Sequence, residues 1–581
     1  MSNPTPKAPF FIVLILVIAG LVAYGLRDTL FPKGKTPGPV APIDKSDLAT
    51  TSDGVEAADA NVPTTVKEYA YVASEKLPPV KEKSDYEPLQ ERTVKFALNV
   101  WAGWSPIILQ NGGAAAGKVW TTPGGEDFKV ELVLIDNPVS MRDAYAAGRV
   151  HIGWATLDMV PLFMEELKKD PRIYPRIYQQ VDWSNGGDGI IIRRSFAKDP
   201  EHPTVRDLKG KKIVLAQNSP SEYFVLNALV NGGVQPAEVQ FIYTEDAFQA
   251  AAAFNADKTI AACVTWAPDI YNLSDVEGNH LLVSTLTANK MIADVWFARA
   301  DFARDNPDIV EGLVRGIFAG VDQMKTQAGK KEAAQLMAKM YSIPADECLA
   351  MLGDAHSTNY AENREFFMNQ NNPANFERTW QTAYLLYKKM GRVGTPVAFD
   401  SVMDFSILQK IGEEEPFKSS VNEYLVRFAP KSVQTLQAEG SEILTKVVTV
   451  QFFPNSWDIH KMITRKVNGK DVEEAYDPNV EFVVEEIGKL AGQYGAANIV
   501  IEGHTDSSMK GRVKEALVRE LAENRANAVK EALVNTFNTL NPNQFSVEGV
   551  GWKRPFDDRD PENHAKNRRV EIKVIALENP E

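Results

Sequence analysis

Residues 8–26 read APFFIVLILVIAGLVAYGL, nineteen residues without a charged side chain. As a helix rising 1.5 Å per residue, this run is roughly 28 Å long, enough to cross the hydrocarbon core of a bilayer. The competing reading is a cleaved signal peptide, whose apolar region runs about 7–15 residues. Ala23-Tyr24-Gly25 offers only a weak cleavage pattern, and no cysteine stands directly behind it for lipid attachment. We therefore expect an uncleaved anchor at 8–26 with a cytoplasmic tip at 1–7. Only Lys7 precedes the run, while Arg27, Lys33, Lys35 and Lys45 follow it. That local count argues for the opposite orientation, but large downstream domains cross largely regardless of flanking charge. The run holds no Asp, Glu, Lys, Arg or His, so it reads as an anchor and not as part of an ion pathway.

Residues 27–95 are rich in Pro, Lys, Asp, Glu, Ser and Thr, with prolines at 32, 37, 39, 42, 63, 78, 79 and 88. Such a stretch buries too little apolar surface to fold and is expected to be a linker. About 65 residues of flexible coil reach about 45 Å on average. The whole chain has 581 residues, too many for one core and enough for three to five folding units. Acidic residues outnumber basic ones by 77 to 63, which excludes nucleic acid or an anionic membrane surface as the main partner. Two cysteines, Cys263 and Cys348, make neither a disulfide scaffold nor a zinc-finger array. Cys263 lies in the apolar run IAACVTW and is expected as a buried free thiol; pairing with Cys348 is left open.

From Phe96 the texture changes to short apolar runs alternating with helical patterns. Strands are expected at Phe96–Val100, Val130–Ile135, Ile190–Ile192, Ile213–Ala216, Gln240–Tyr243, Ala261–Thr265 and Asp294–Ala298. Helices fit at 140–147, 221–231, 245–256 and 307–326. This alternation predicts an α/β fold with mostly parallel sheet over 96–435. No P-loop, GxGxxG, HExxH or GxSxG pattern occurs, so the common nucleotide and hydrolase signatures are missing. In such folds the crevice lies outside the carboxyl ends of the strands. Trp101 and Trp104 follow the first strand, Asn218 and Ser219 follow Ile213–Ala216, Asp188 precedes a strand and Trp266 ends one. The two tryptophans are equally well explained as core. Ser219-Pro220-Ser221-Glu222 reads as a capping box, with Ser219 as N-cap and Glu222 three positions on.

The segments Trp101-Ala-Gly-Trp104-Ser-Pro106, Ala146-Ala-Gly-Arg-Val-His-Ile-Gly153, Gly186-Gly-Asp188-Gly-Ile190, Asp207-Leu-Lys-Gly-Lys-Lys-Ile-Val214, Val264-Thr-Trp-Ala-Pro268 and Ala293-Asp294-Val-Trp-Phe297 stand in one order over about 230 residues. In that order this region resembles the periplasmic solute-binding proteins of the nitrate, sulfonate and taurine ABC-transporter type. The resemblance implies a type II fold, two α/β lobes closing on a small molecule, with residues 330–430 as a helical tail. It places Trp101, Trp104, Asp188, Asn218, Ser219, Trp266 and Asp294 around the solute. A helix N-terminus welcomes an anion, but Glu222 would compete for those donors and Asp188 and Asp294 add negative charge. A neutral, zwitterionic or cationic solute is therefore at least as well supported as nitrate or a sulfonate.

After a short separator, residues 443–577 form a second unit. A strand is expected at Lys446–Phe453. Val480, Val483, Val484, Ile487, Leu490, Ala491 and Tyr494 share one helical face. Strands at Asn498–Glu502, Gln544–Val550 and Arg568–Ile575 and a helix around 511–536 complete a β-α-β-α-β-β order. Gly503-His-Thr-Asp506, Leu521-Ala-Glu-Asn-Arg525-Ala526, Gly549-Val-Gly551 with Pro555, and Asn567-Arg-Arg-Val-Glu-Ile572 follow in sequence, with Phe453-Pro-Asn455-Ser456 near the start. With these motifs the unit resembles the OmpA-like peptidoglycan-binding domain. That family grips the diaminopimelate side chain of the wall peptide. The resemblance implies Asp506 for its ammonium and Arg525 for its carboxylate, with Arg568 and Asn455 in support and Arg568 favoured as a brace for Asp506. A forked guanidinium suits a carboxylate. His504 is expected to make a structural hydrogen bond. The family usually has Ser where Ala522 stands and often Asn where Val518 stands.

Together these readings describe a non-enzymatic protein of the Gram-negative periplasm, single-pass in the inner membrane, without metal or cofactor. Its expected partners are peptidoglycan, a small solute and a membrane transporter or channel. The rival is a wall-anchoring, stator-like subunit with a ligand-free middle domain; a hydrolase is a distant third.

Overall fold

The computed structural model describes residues 76–467, 470–556, 558–559 and 564–577. The apolar run 8–26 and most of the linker lie outside them. Among the described residues no helix is long and apolar enough to cross a membrane.

The middle domain starts earlier than expected. Residues 84–92 run along the first lobe: Ser84 N donates to Ala146 O at 3.2 Å and Glu87 N to Gly148 O at 2.9 Å. Arg299 Nη2, buried, donates to Ser84 O at 2.7 Å. Gly148 has φ +73°, and a Cβ there would meet Asp85 O at 2.2 Å, so the strap can lie flat only over a glycine. Reading the linker through residue 95 is corrected here: backbone pairing, invisible in composition, orders its last part.

Strands β1 (Thr93–Leu98), β2 (Val119–Thr121), β3 (Asp127–Leu134), β4 (Ile152–Thr156) and β5 (Pro175–Ser184) begin the first lobe. The chain then crosses to β6 (Asp188–Arg193), β7 (Lys212–Ala216), β8 (Gln240–Thr244), β9 (Ala262–Trp266) and β10 (Asn279–Ser284). It returns as β11 (Ala293–Arg299) and β12 (Ala355–Ser357). Two sheets result, ordered β12-β5-β11-β4-β1-β3-β2 and β10-β6-β9-β7-β8. The α/β expectation holds, but the sheets are mixed. β1 runs parallel to β3 and β4, and β7 to β8 and β9, while β5, β6, β10 and β11 pair antiparallel with their neighbours. The physical reason is the double crossing. A strand entering a lobe from the hinge runs against strands built by local βαβ units. β4 and β5 escaped the sequence reading because both are buried along their length and lack alternation.

The crossing is tied at one point. Ser184 Oγ donates to Asp188 Oδ2 at 2.7 Å, and the Thr285 hydroxyl accepts from the backbone N–H of Gly186 (2.9 Å) and of Asp188 (3.1 Å). Helices α1 (Pro220–Asn231) and α2 (Ala247–Ala256) pack on the second sheet, and α3 (Pro307–Met324) on the first. Tail helix α4 (Phe376–Lys389) follows. Cys263 and Cys348 are both buried and free, which closes the pairing question.

The C-terminal unit comprises β13 (Gly440–Val448), hairpin β14 (Met462–Val467) and β15 (Lys470–Ala475), α5 (Val480–Gln493), β16 (Asn498–His504), α6 (Glu515–Thr536), β17 (Phe545–Gly551) and β18 (Val570–Leu577). Its sheet order is β13-β18-β16-β17. The face of α5 read from the sequence is the buried one. Hairpin β14–β15, rich in charge and exposed on β15, gave no apolar signal. Helix α6 lies backbone-close on the sheet: a Cβ on Gly503 would meet Ala522 O at 2.0 Å. The unit also packs on the middle domain. Gln493 on α5 bonds Asn227 and Tyr223 of α1, each at 3.1 Å, and its carbonyl accepts from Lys290 N of the returning hinge segment at 3.2 Å. Arg378 on α4 pairs with Glu485 at 2.6 Å.

Candidate functional site: an aspartate–arginine pocket and an acidic cleft

Asp506 stands two residues past the end of β16 and is fully buried. Its Oδ1 accepts from Ser508 N at 2.7 Å, and its Oδ2 accepts from Arg568 Nε. Burial alone would raise this carboxyl. The Ser508 hydrogen bonds and the Arg568 guanidinium outweigh it and hold the group below the usual carboxylate range. Arg568 thus braces Asp506 directly, as read from the sequence. Arg525 lies on α6, one turn beyond Ala522 where the helix touches Gly503. Its Nε donates to Ser456 O at 3.1 Å, and its guanidinium lies 4.9 Å from the Phe452 ring centroid. Asn455 adopts φ +54°, and its buried Oδ1 accepts no hydrogen bond. Arg525 thus contacts the Asn455–Ser456 turn, and Asp506 contacts Arg568. Beside Asp506 opens a cavity of about 340 Å³ lined by Thr505, Ser507, Lys510, Trp552, Lys553, Pro555 and Asn567.

His504 differs from expectation. Neither ring nitrogen makes a hydrogen bond. Nε2 lies 3.7 Å from Glu502 and 3.8 Å from Glu571, and burial lowers its pKa. This buried trio has the composition of a metal site. However, Arg554 and Lys573, each at 3.0 Å, already neutralise Glu502, and Arg569 at 2.6 Å neutralises Glu571. The charge a cation would answer is spent.

In the cleft the expected residues divide. Trp104 is core: its Nε1 donates to Asn99 Oδ1 at 2.7 Å and its ring meets Phe96 edge-on. The Ser219 hydroxyl turns back to Ala216 O at 2.8 Å and does not cap α1. Glu222 instead accepts from Asn218 N at 3.0 Å, so the capping box is replaced by a bond one residue earlier. The reason is Arg392, which donates to both Glu222 oxygens in a fully buried pair and draws the carboxylate out of box geometry.

Trp101, Asp188 and Asp294 do come together, with residues the sequence did not reveal. Trp101 Nε1 donates to Asp182 Oδ1 at 3.2 Å. Asp294 on β11 stands directly opposite Asp182 on β5 and Thr156 on β4, so three adjacent strands carry these side chains in one row. Asp158 follows β4 by two residues, and Asp188 opens β6 opposite Trp266. Asp354, from the tail, accepts from the Tyr271 hydroxyl. Burial pushes the carboxyls of Asp158, Asp182, Asp188 and Asp354 up to about 7, and Asp294, crowded by its neighbours as well, well above its ordinary value. Asp158 carried a local signal, a polar residue just past a strand end, but its strand went unrecognised. Asp354 carried none, because only the tail's return brings it to the cleft.

Comparison with known proteins agrees with this division. The OmpA family matches residues 467–569 and the NMT1/THI5 like family matches residues 195–328. Outer membrane protein Omp38 of Acinetobacter baumannii is 36% identical over 104 residues, 18% of this chain and 27% of that protein. The taurine-binding periplasmic protein of Escherichia coli is 26% identical over 182 residues, 31% of this chain and 52% of that one. The putative aliphatic sulfonates-binding protein of the same organism is 25% identical over 219 residues, 38% of this chain and 64% of that one. The crystal structure of the periplasmic aliphatic sulphonate binding protein of Escherichia coli aligns over 54% of this chain and 97% of that one, with TM-score 0.41 and 19% identity. The chain thus spans about a quarter of the outer membrane relative and between half and two thirds of the binding-protein relatives. It joins an NMT1/THI5-like solute-binding domain to a C-terminal OmpA family domain.

Proposed function

We propose that this chain is a periplasmic solute receptor fixed to the cell wall. The carrying observation is Asp506: a buried carboxylate held below the usual carboxylate range by Arg568 and Ser508, whose chain neighbours Thr505 and Ser507 line a cavity of about 340 Å³. The diaminopimelate side chain ends in an ammonium and a carboxylate. Asp506 receives the ammonium, and Arg525, positioned by its Ser456 and Phe452 contacts, forks to the carboxylate. Residues 8–26 hold the chain in the inner membrane of a Gram-negative envelope, with the rest in the periplasm. The two-lobed domain closes on a small molecule and presents it to a membrane transporter. On this reading the protein is a binder and not an enzyme, in keeping with relatives named as a taurine-binding and a putative aliphatic sulfonates-binding protein. The experiment is cosedimentation of the full chain with purified peptidoglycan. Asp506→Ala and Arg525→Ala should each leave the protein in the supernatant; two variants that pellet like wild type remove the wall assignment.

A second reading makes the middle domain a ligand-free spacer in a stator-like complex. It draws on the docking of α5 against α1, the hinge segment and α4, which would stiffen such a spacer. Copurification with a multi-span partner, and no solute response, would favour it.

A further inference from the structure

Five carboxylates converge on the cleft: Asp158, Asp182, Asp188, Asp294 and Asp354, exposed by 0%, 0%, 4%, 4% and 5%. Buried carboxylates are ordinarily paired. Here both oxygens of Asp158, and one each of Asp182, Asp188 and Asp354, accept no hydrogen bond. The charged groups that bear on them are mainly one another and Glu222. Among the described residues no Lys or Arg forms an ion pair with any of the five, and the buried Arg392 is already committed to Glu222.

Two neutral side chains point the same way. Thr156 is 3% exposed, its hydroxyl is unpartnered, and its position opposite Asp294 across β4–β11 aims it into the carboxylate row. Asn218, just past the end of β7 in left-handed backbone with φ +60°, also keeps a buried carbonyl oxygen without a donor. Both stand at the carboxyl ends of strands, the crevice edge of their sheets. The aromatic wall is Trp101, whose ring packs on Gly187 so closely that a Cβ there would meet it at 2.4 Å. Buried carboxyls that no cation compensates, an amide carbonyl oxygen without a donor and an indole wall are the complement of an ammonium group.

We propose that the cleft takes a small organic cation, an amine with one or more ammonium groups, and not an anion; this rests on reading the middle domain as a receptor. A bare divalent ion fits poorly. Such an ion draws six or more oxygens to about 2.0–2.6 Å, whereas among the described residues no three of these carboxylates bring oxygens within 4.8 Å of one another. A cation several atoms long reaches carboxylates spread over both lobes, and neutralising them is what would favour lobe closure.

The test is isothermal titration of the full chain with putrescine and spermidine, with taurine and ethanesulfonate, and with magnesium chloride alone. A saturable response to an amine, weakened at least tenfold in Asp188→Asn and in Asp294→Asn while both variants melt at or above the wild-type temperature, is the expected result. Binding of taurine or ethanesulfonate without an amine response overturns the cation and leaves the receptor standing. A response to magnesium alone replaces the organic cation with a metal. Silence in every arm overturns the inference and the receptor reading together. Wall binding by Asp506 is independent of all four outcomes.

Discussion

Replacing Arg392 by Met should expose the electrostatic cost built into the second lobe. Arg392 and Glu222 are buried to 0% and 1% side-chain exposure, and among the described residues the guanidinium is the one cation paired with that carboxylate. Methionine fills much of the arginine's volume and removes its charge. Glu222 then has two choices: remain ionised without a partner, at about 3–5 kcal/mol, or take a proton. Protonating a carboxyl of ordinary pKa about 4.3 at pH 7 costs about 3.7 kcal/mol, at 1.36 kcal/mol per unit. The loss at pH 7 is therefore capped near that figure. In the variant, folded Glu222 holds a proton that the unfolded chain releases, so stability falls as pH rises. At pH 5 the same reasoning leaves a loss of only about 1 kcal/mol. Urea denaturation of the full chain at both pH values, following the middle-domain transition, measures the difference. Adding Glu222→Gln should recover most of the loss. A deficit below about 1 kcal/mol at pH 7, or one that does not change with pH, would refute the buried-charge argument.

Other consequences are equally direct. Asp188 has its carboxyl raised from 3.8 to about 7, so the ligand-free protein should lose stability between about pH 4 and pH 7 as the unfolded state sheds its proton first. Asp188→Asn should lessen that slope by its own share, about 4 kcal/mol at neutral pH, with Asp158, Asp182, Asp294 and Asp354 supplying the rest; an unchanged slope in pH-dependent melting contradicts it. Gly503→Ala puts a methyl 2.0 Å from Ala522 O. It should cost about 1–3 kcal/mol as α6 lifts from the sheet, and should weaken wall binding because Arg525 rides on that helix. Arg378→Ala removes the partly buried pair with Glu485, the bonds to Gln370 O and Asn372 O and the contact with the Phe537 ring, and should cost about 1–3 kcal/mol of thermal stability while broadening the small-angle scattering profile as the two domains loosen.

The C-terminal unit was legible in its two helices and its last three strands because their signals are local, whereas its opening strand, expected at Lys446–Phe453, runs over Gly440–Val448 and the β14–β15 hairpin was missed. An apolar helical face, a strand ending in Gly503-His-Thr-Asp506 and a helix bearing Arg525 each lie within one contiguous stretch. Asp506, Arg525, Arg568 and Asn455 were singled out through the family resemblance those stretches carry, and the structure adds the contact of Arg568 with Asp506. His504 went otherwise because three nearby cations, Arg554 from the loop after β17 and Arg569 and Lys573 at β18, occupy its carboxylate neighbours. The cleft was legible only in outline. Trp101 and Asp188 were singled out from their places beside strand ends, and Asp294 from the family resemblance. Asp182 sits inside a fully buried strand where no alternation marks it, and Asp354 and Arg392 arrive from the tail. Their meeting with Asp188 and Glu222 is a property of the double crossing between lobes, which also made the sheets mixed where local βαβ reasoning expects parallel strands. Sequence periodicity reports faces of single elements; it does not report which distant acids share one cavity.

The wall site carries the account, and its most direct measurement is release of the full chain from diaminopimelate-type peptidoglycan by free diaminopimelate. The protein should pellet with the wall, move to the supernatant as the free amino acid saturates the Asp506–Arg525 site, and be unaffected by the same concentration of 1,5-diaminopentane, which carries ammonium groups but no carboxylate for Arg525. Pelleting that persists at saturating diaminopimelate, or that the diamine reverses equally well, would contradict the assignment.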